Sequence, residues 1–342
     1  MRLSNPDYPS NSWKSCLEEL LAPYLPVALL TAWFMDWHLR SHGIFVSVPW
    51  FGTSFFSSVA MVIGMGLFIA GLKSIRAPKR RQVSVFKSTI KPWLTLGTFT
   101  RICVAVAAFW MTLDAYITQK QCLQLLQPMI FDATVEHMDW LIHFGHYPSP
   151  GWFEAFSTPL WMHIVDFTYS LWYFLKLLLI SFFVFLPRKV FVHFMLAMDA
   201  LWTLGGWTTE WWPTLGPCFF RTDAMAPYGT IAHTLQTRLW TEYGGMGASS
   251  GDFISKFQGI AAFPSLHVGV ATITVCFLWR RFPRFKPLLI LYWAAIQYGS
   301  VYLGWHYAID GYTSALMAIL LYFVFKWITD AIYQPSAPQP VT

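Results

Sequence analysis

Long apolar runs constrain the fold of this chain more than any other feature of its sequence. A helix needs roughly 17 to 25 mostly apolar residues to cross the hydrocarbon layer of a bilayer. Runs of this kind, some of them short, lie approximately at 20–35, 51–72, 94–116, 164–186, 190–207, 265–279, 287–305 and 306–328. Since the backbone must satisfy its own hydrogen bonds in lipid, the sequence predicts an all-α, polytopic integral membrane helix bundle of about six to eight transmembrane helices.

The composition agrees with a membrane protein and excludes several other classes. Hydrophobic residues make up 56% of the 342 residues and charged residues only 12%, with a mean hydropathy of +0.45. So few charges could not cover the surface of a soluble domain. The five cysteines are too scattered for a disulfide framework or a zinc site. Cys122 and Cys218 form the only pair worth testing as a bridge, and we expect all five to act as small apolar residues.

The distribution of basic residues predicts the orientation of the bundle. Thirteen of the 23 Lys and Arg residues fall in three short connections, at 73–91, 188–189 and 280–286. Basic connections are retained in the cytoplasm, so these connections and both termini are predicted to be cytoplasmic. The segments 117–163 and 208–264 then lie on the far side. The net charge of +6 therefore reflects topology and gives no indication of a nucleic-acid partner.

The two outer segments and the ends of the chain complete the predicted organisation. Residues 119–156 mix apolar side chains with Asp, Glu and His, which is typical of an amphipathic helix at the membrane interface. The histidines there are interpreted as a solvated face in preference to a metal site. We expect residues 1–92 to form an N-terminal membrane hairpin with a basic cytoplasmic loop, 93–330 a catalytic domain, and 331–342 a disordered tail.

Ionisable residues inside the predicted spans should face the bundle, pair or reach the interface. They are Arg101, Asp166, Lys176 and Asp199. We expect Arg101 or Lys176 to pair with Asp199, and Asp166 could approach a site on the outer side; none is assigned catalysis. Packing or interfacial roles are expected for Tyr169, Tyr173, Trp202 and Trp207, and a head-group-level position for His193.

Two motifs at the starts of predicted spans could carry chemistry. The sequence AAFPSLHVG places Pro264, Ser265 and His267 at a helix start, where free N–H groups favour an anion. The sequence GSVYLGWHYAIDG supplies His306 and Asp310, which share one helix face, so the carboxylate can orient the imidazole. Both spans enter from the outer side, so the two histidines should lie at similar depth. Such a set suits phosphoryl transfer.

FPSLH followed by H-x-x-x-D about 40 residues later resembles the type 2 phosphatidic acid phosphatase superfamily. The Leu between Ser and His makes the motif look more like the inositol phosphorylceramide synthase branch. The resemblance implies that His306 is a nucleophile forming a phosphohistidine and that Asp310 orients it. It also implies that His267 is the general acid, that Ser265 binds phosphate oxygen, and that no metal or other cofactor is needed.

Two departures from the superfamily pattern concern the cations that bind phosphate. The superfamily usually has Arg six residues before the nucleophilic histidine, where this chain has Ser300, and no full K-x-x-x-x-x-x-R-P motif occurs upstream. We keep Ser300 in the predicted phosphate-binding set together with Arg221 and Lys256. Arg238 is a further candidate, and Arg221 is preferred because it follows a Pro/Gly turn. The alternative for Arg221 is a rim charge that contacts lipid head groups.

The sequence thus predicts a phosphohydrolase or phosphotransferase acting on a lipid phosphate or phospholipid head group at the extracytoplasmic leaflet. Water as acceptor would make it a phosphatase, and a lipid or polyol hydroxyl would make it a transferase of the ceramide phosphoinositol type. The Trp-rich 205–220 segment slightly favours transfer because it could exclude water. A lipid transporter or scramblase, and a catalytically inactive relative, are the alternatives. The expected membrane is a plasma or inner membrane, or a Golgi-type endomembrane in a eukaryote.

Overall fold

The structure is a computed structural model, and it describes residues 9–45, 53–148, 158–221, 224–244 and 259–333. The described residues form fourteen α-helices, short 3-10 turns and connecting loops, with no strand among them. The helices are α1 (Trp13–Leu20), α2 (Tyr24–Ser41), α3 (Thr53–Ile75), α4 (Gln82–Ile90), α5 (Leu96–Leu126), α6 (Asp132–Ile142), α7 (Pro159–Ser170), α8 (Trp172–Phe183), α9 (Arg188–Trp211), α10 (Pro217–Phe220), α11 (Ile231–Gly244), α12 (Leu266–Trp279), α13 (Lys286–Tyr302) and α14 (Ala308–Ile332).

The predicted polytopic helical bundle is confirmed. Among the described residues, four helices are long and apolar enough to cross a membrane, namely α3, α5, α9 and α14. The pair α1 and α2, bent by 40° at its break, would make a fifth span. The remaining predicted spans correspond to shorter helices: α12, α13, and the pair α7 and α8. A single residue separates α7 from α8, Leu171, whose backbone stays in the right-handed helical region.

The centre of the bundle is α9, which packs against α5 on one side and against α12 and α14 on the other. A helix surrounded by other helices must be apolar on nearly all of its faces. The side chains of Phe191, Phe194, Met195, Met198 and Leu201 are accordingly among the largest that are fully buried. This packing brings the ends of α5 and α9 beside the starts of α12 and α14, where Thr209 donates to the carbonyl oxygen of Phe263 at 3.0 Å. We call this the histidine end.

The opposite end of the bundle, which we call the basic end, is joined by ion pairs. Glu19 of α1 accepts from Arg101 of α5 at 2.9 Å and from Arg188 at the start of α9 at 3.0 Å. Lys189 pairs with Asp330 near the end of α14 at 2.8 Å. The prediction that Arg101 pairs with Asp199 is therefore wrong, because Glu19 reaches Arg101 inside the bundle.

Other polar side chains in the bundle find local partners. Asp199 accepts from the Thr112 hydroxyl at 3.3 Å, and the side chain of Lys176 lies outside the described residues. Asp166 accepts from the N–H groups of Ile231 and Ala232, at 2.6 and 3.0 Å, and so caps α11. His193 is buried and bonds to the Tyr322 carbonyl oxygen at 2.8 Å, so its side chain faces the bundle; its depth at the head-group level stays a prediction.

Two smaller predictions concern cysteines and the tail. Cys122 and Cys218 are both buried and free, which agrees with the expectation that they act as small apolar residues. Residues 334–342, the main part of the predicted tail, lie outside the described residues. The division of the chain at residue 92 stays a prediction.

Candidate active site

His306 lies in the turn that leads into α14, and Asp310 lies one helical turn later. The Nδ1 atom of His306 is 3.3 Å from Oδ2 of Asp310, and both side chains are buried. The same Oδ2 accepts the N–H of Tyr307 at 3.0 Å, so the carboxylate is itself held in place. A carboxylate acceptor favours the tautomer with its proton on Nδ1, which leaves the Nε2 lone pair available. This is the state that a nucleophilic histidine requires.

Ser265 connects the first motif directly to the second. It precedes α12 as the N-cap residue, and its backbone N–H donates to the carbonyl oxygen of Asp310 at 3.1 Å. Its hydroxyl is fully buried and has no hydrogen-bond partner among the described residues. An unpartnered buried hydroxyl at a helix start, next to the positive end of the helix dipole, can bind an anionic oxygen.

The two histidines face each other at the histidine end. The ring centroids of His267 and His306 are 5.9 Å apart, and the ring planes are inclined by 60°. A nucleophile attacks from about 3 Å and a general acid donates across about 3 Å. The separation therefore suits two imidazoles that act on opposite sides of one phosphorus atom. The predicted depth of the two motifs agrees with this arrangement.

Both histidines line a cavity of about 500 Å³, which is within the range of small-molecule sites. Its walls are mainly aromatic and aliphatic, and they include Trp202, Phe219 and Trp305. Lys120, from the last turns of α5, also lines this cavity. Among the described residues, Lys120 is the one basic side chain, lysine or arginine, that lines this cavity with His267 and His306.

Sequence reasoning missed Lys120 as a site residue, although a signal was present. Lys120 is followed by six residues and then by Gln127 and Pro128. This differs from K-x-x-x-x-x-x-R-P only by glutamine in place of arginine. A search that allowed one mismatch would have found it.

The structure places Arg221, Arg238 and Ser300 away from the cavity lining. Arg221 follows α10 and pairs with Glu136 of α6 at 3.2 Å, with 46% of its side chain exposed. Arg238 pairs with Glu242 within α11 at 3.5 Å. The Ser300 hydroxyl donates to the Gln297 carbonyl oxygen at 2.8 Å, and its own carbonyl accepts the N–H of His306. Lys256 lies outside the described residues.

The predicted interfacial helix α6 is part of the site's support. Asp139 accepts from the N–H groups of Ala308 and Ile309, at 3.0 and 2.8 Å, and so caps α14. Burial raises the pKa of the Asp139 carboxyl, and these N–H groups act in the opposite direction. The face of α6 that points inward thus carries carboxylates, whereas Met138, Leu141 and Ile142 are exposed.

Asp132, at the first turn of α6, joins two loops to the same helix. Its carboxylate accepts from the N–H groups of Leu215 and Gly216, both at 2.8 Å, and from the Tyr307 hydroxyl at 3.1 Å. Burial raises the pKa of Asp132, and these donors oppose the rise. Both carboxylates were interpreted from the sequence as part of a polar face. Their partners come from residues more than 80 positions away, so no local pattern could identify them.

Two glycines let the loops of the site meet backbone to backbone. Gly216 and Gly304 have φ angles of +92° and +72°, a region that disfavours other residues. A Cβ at Gly304 would lie 2.1 Å from the Ala224 carbonyl oxygen, and one at Gly216 would lie 2.6 Å from that of Trp305. Gly216 and Ala224 are therefore packed tightly against the turn that carries His306.

Comparison with known proteins identifies the family. The sequence profile of the PAP2 superfamily matches residues 134–324, which is more than half of the chain and includes both histidine motifs. The chain belongs to the PAP2 superfamily. No solved structure matches it.

Two curated proteins that are similar in sequence to this PAP2 chain are fungal. The inositol phosphorylceramide synthase catalytic subunit AUR1 of Saccharomyces cerevisiae is 32% identical over 120 residues, covering 30% of this chain and 28% of the yeast protein. The inositol phosphorylceramide synthase of Candida albicans is 35% identical over 66 residues, covering 19% and 14%. The match thus spans less than a third of either relative. The resemblance to the inositol phosphorylceramide synthase-like branch is confirmed.

No group of three His, Cys, Asp or Glu side chains in the described part of this PAP2 chain is placed to hold a metal ion. The polar side chains that line the cavity include the two histidines, Lys120, Gln121, Tyr116 and Tyr169. With Asp310 behind His306, this set has the chemistry that a nucleophile, a proton donor and a cation require.

Proposed function

We propose that this PAP2 protein transfers the phosphoryl part of a phospholipid or lipid phosphate through a phosphohistidine intermediate. The observation that supports this most directly is the 5.9 Å separation of the His267 and His306 rings, with Asp310 bonded to His306. Its membership of the superfamily supports an enzyme acting on lipid phosphate.

In the first half of the reaction, Nε2 of His306 attacks phosphorus and a P–N bond forms. The P–O bond to the leaving alcohol breaks, and His267 gives its proton to that oxygen. Asp310 keeps the Nδ1 proton in place and stabilises the positive charge that develops on the His306 ring.

In the second half, the neutral His267 takes a proton from the acceptor hydroxyl, whose oxygen attacks phosphorus. The P–N bond breaks, and its electron pair returns to His306. Both histidines are then in their starting states, so the cycle needs no other reactant.

We propose that Lys120 and Ser265 hold the phosphoryl oxygens. A cation and preorganised donors beside the developing charge stabilise the transition state for phosphoryl transfer. Lys120 lines the cavity, whereas Arg221 is paired with Glu136. Arg221 is therefore proposed as a rim charge that attracts the head group, and Ser300 as a residue that supports the turn before His306, whereas Lys256 stays a predicted phosphate ligand.

We favour transfer to an alcohol over hydrolysis. The cavity wall is formed largely by aromatic and aliphatic side chains, which disfavours water beside the phosphohistidine. Both fungal relatives are named synthases. A head-group transferase of the ceramide phosphoinositol type is the form of this function that we propose, with slower release of phosphate to water.

We place the reaction at the extracytoplasmic leaflet. Arg101, Arg188 and Lys189 lie at the basic end, opposite the two histidines. Because positive connections are retained in the cytoplasm, the histidine end should face away from it.

The decisive experiment measures turnover by purified protein in lipid nanodiscs. The substrates are phosphatidic acid, phosphatidylinositol and phosphatidylinositol with ceramide, and the products are inorganic phosphate and the transferred head group. We expect His306→Ala to lose about 10³-fold or more of the activity and His267→Ala about 10²- to 10⁴-fold. Wild-type protein should carry a covalently bound phosphoryl group that is labile in acid and stable in alkali, and His306→Ala should carry none.

His233→Ala is the matched control, because this histidine bonds to the Ala226 carbonyl oxygen and does not line the cavity. It should keep near wild-type turnover. Wild-type activity that survives both His306→Ala and His267→Ala would remove the proposed mechanism. Lipid movement across the bilayer without any turnover would support the transporter alternative instead.

A further inference from the structure

Two aromatic side chains hold the imidazole of His267. The ring centroid of Trp172 is 4.0 Å from that of His267, with the planes inclined by 41°. The Tyr169 ring is 4.9 Å away and stacks at 23°. Both aromatic side chains are buried and line the same cavity. They lie on either side of Leu171, where α7 gives way to α8.

These rings are fixed by their own neighbours. Trp172 packs against Trp202 at 6.4 Å, and Trp202 packs against Tyr116 of α5 at 5.1 Å. On the other side, a Cβ at Gly299 would lie 3.2 Å from the Tyr169 ring, so α13 closes directly on it. A ring held on several sides has few rotamers available. The contact with His267 is therefore a fixed feature of the bundle.

The two histidines thus have different surroundings, which suits two different roles. His306 is held by a carboxylate, which fixes its tautomer. His267 lies against aromatic faces, whose negative charge density attracts a cation within about 6 Å of the ring centroid. An imidazole that acts as an acid is positively charged before it gives up its proton. Different environments for two similar groups are how enzymes assign acid and nucleophile.

We propose that Tyr169 and Trp172 are positioning residues for His267, which hold its ring plane and stabilise its charged form while the leaving alcohol departs. The inference rests on the proposed function and adds two residues to it. Neither aromatic residue bonds to the phosphoryl group. Their effect passes through the proton donated by His267.

The test compares two leaving groups. An alkyl phosphate ester needs a proton on its leaving oxygen, whereas a p-nitrophenyl phosphate ester does not, because nitrophenolate is a stable anion. We expect Trp172→Leu and Tyr169→Leu to lower kcat for the alkyl ester by about 10- to 100-fold. The burst of nitrophenolate release, which reports the first half of the reaction alone, should change by less than about threefold, and KM should stay near wild type for both esters.

Conservative variants and a matched control separate positioning from stability. Trp172→Phe and Tyr169→Phe keep an aromatic face and should retain most of the alkyl ester activity. If Trp172→Leu does not fold, Tyr169→Leu provides the same test. Phe183→Leu removes a fully buried ring from α8, the helix that carries Trp172, at a position that does not line the cavity. It should lower the melting temperature without any dependence on the leaving group.

Equal losses of the alkyl ester turnover and of the nitrophenolate burst, or a rise in KM at constant kcat, would overturn the inference. His267→Ala is the reference, and it should show a strong dependence on the leaving group. If His267→Ala shows this dependence and both Leu variants do not, only the inference on Tyr169 and Trp172 fails. If both His267→Ala and His306→Ala keep full turnover of the alkyl ester, the proposed function fails.

Discussion

His306 bonds to Asp310, whereas His267 packs on Tyr169 and Trp172. At the scale of the residue, the cations are as informative as the histidines. Lys120 lines the cavity, and Arg221 pairs with Glu136 at the surface. A cation beside the phosphoryl oxygens strengthens its interaction as charge develops, and an exposed ion pair contributes little.

Replacement of Lys120 should therefore reduce activity far more than replacement of Arg221. We expect Lys120→Met to lower kcat by about 10²- to 10³-fold, because a single preorganised donor is worth that much at a developing charge. Arg221→Gln should change kcat by less than about threefold. The measurement is initial rates on phosphatidylinositol in nanodiscs, with melting temperatures as a check on folding.

Lys120→Arg serves as the conservative variant and should recover part of the lost rate, since it restores the charge with a different geometry. Similar losses for Lys120→Met and Arg221→Gln would contradict this division of roles. A large loss of kcat for Arg221→Gln alone would indicate that Arg221, and not Lys120, binds the phosphoryl oxygens.

At the scale of the element, α6 is the helix that sets the start of α14. Its Asp139 accepts from the first N–H groups of α14, and its Asp132 bonds to Tyr307, which is next to His306. The N-terminal N–H groups of α14 are therefore already bonded to a side chain of the protein. Among the helix starts that carry the motifs, α12 is the one whose N-cap hydroxyl is left to bind an anion.

Asp139→Asn should weaken both stability and catalysis. An amide keeps only one acceptor oxygen for two N–H donors, so we expect a loss of about 1 kcal/mol, as for other helix caps. A misplaced His306 should also lower kcat by roughly 10-fold. Thermal unfolding in nanodiscs and steady-state rates would measure the two effects.

Asp36→Asn provides the matched control, since Asp36 pairs with Arg40 at an exposed position on α2. It should lie within about 0.5 kcal/mol of wild type. Asp139→Asn behaving like Asp36→Asn would show that α6 does not hold the nucleophile in place.

At the scale of the whole molecule, the two ends of the bundle differ in the side chains that they hold. The basic end is held by Glu19, Arg101 and Arg188, whereas the histidine end holds the cavity. This separation predicts opposite accessibility for residues at the two ends. Tyr228, which is 91% exposed, lies in the loop before α11 at the histidine end.

In a variant without the native cysteines, Tyr228→Cys should react with a membrane-impermeant maleimide on intact cells. Arg80→Cys, in the basic connection between α3 and α4, should react only after the membrane is permeabilised. The reverse pattern would place the reaction on the cytoplasmic side and refute the predicted orientation.

The sequence predicted the parts of this architecture that depend on local patterns. His306 and Asp310 are four residues apart, and helix direction alone puts His267 at the same depth. The roles of Asp132 and Asp139 depend on tertiary contacts across more than 80 residues, so the charge pattern of their own segment predicts only a general interfacial role. The partner of Arg101 was mistaken for the same reason, because Glu19 comes from a helix that no periodicity places beside it.

The orientation of α6 has a practical consequence for handling the protein. Its carboxylates bond inward, and its Met138, Leu141 and Ile142 side chains are exposed, so we expect contact with lipid to add to the hydrogen bonds that hold α6 in place. A detergent that removes boundary lipid could release α6 and its caps on α14 while the long helices stay folded. Enzyme extracted in this way would look intact by chromatography and be inactive, and added phospholipid should restore its turnover.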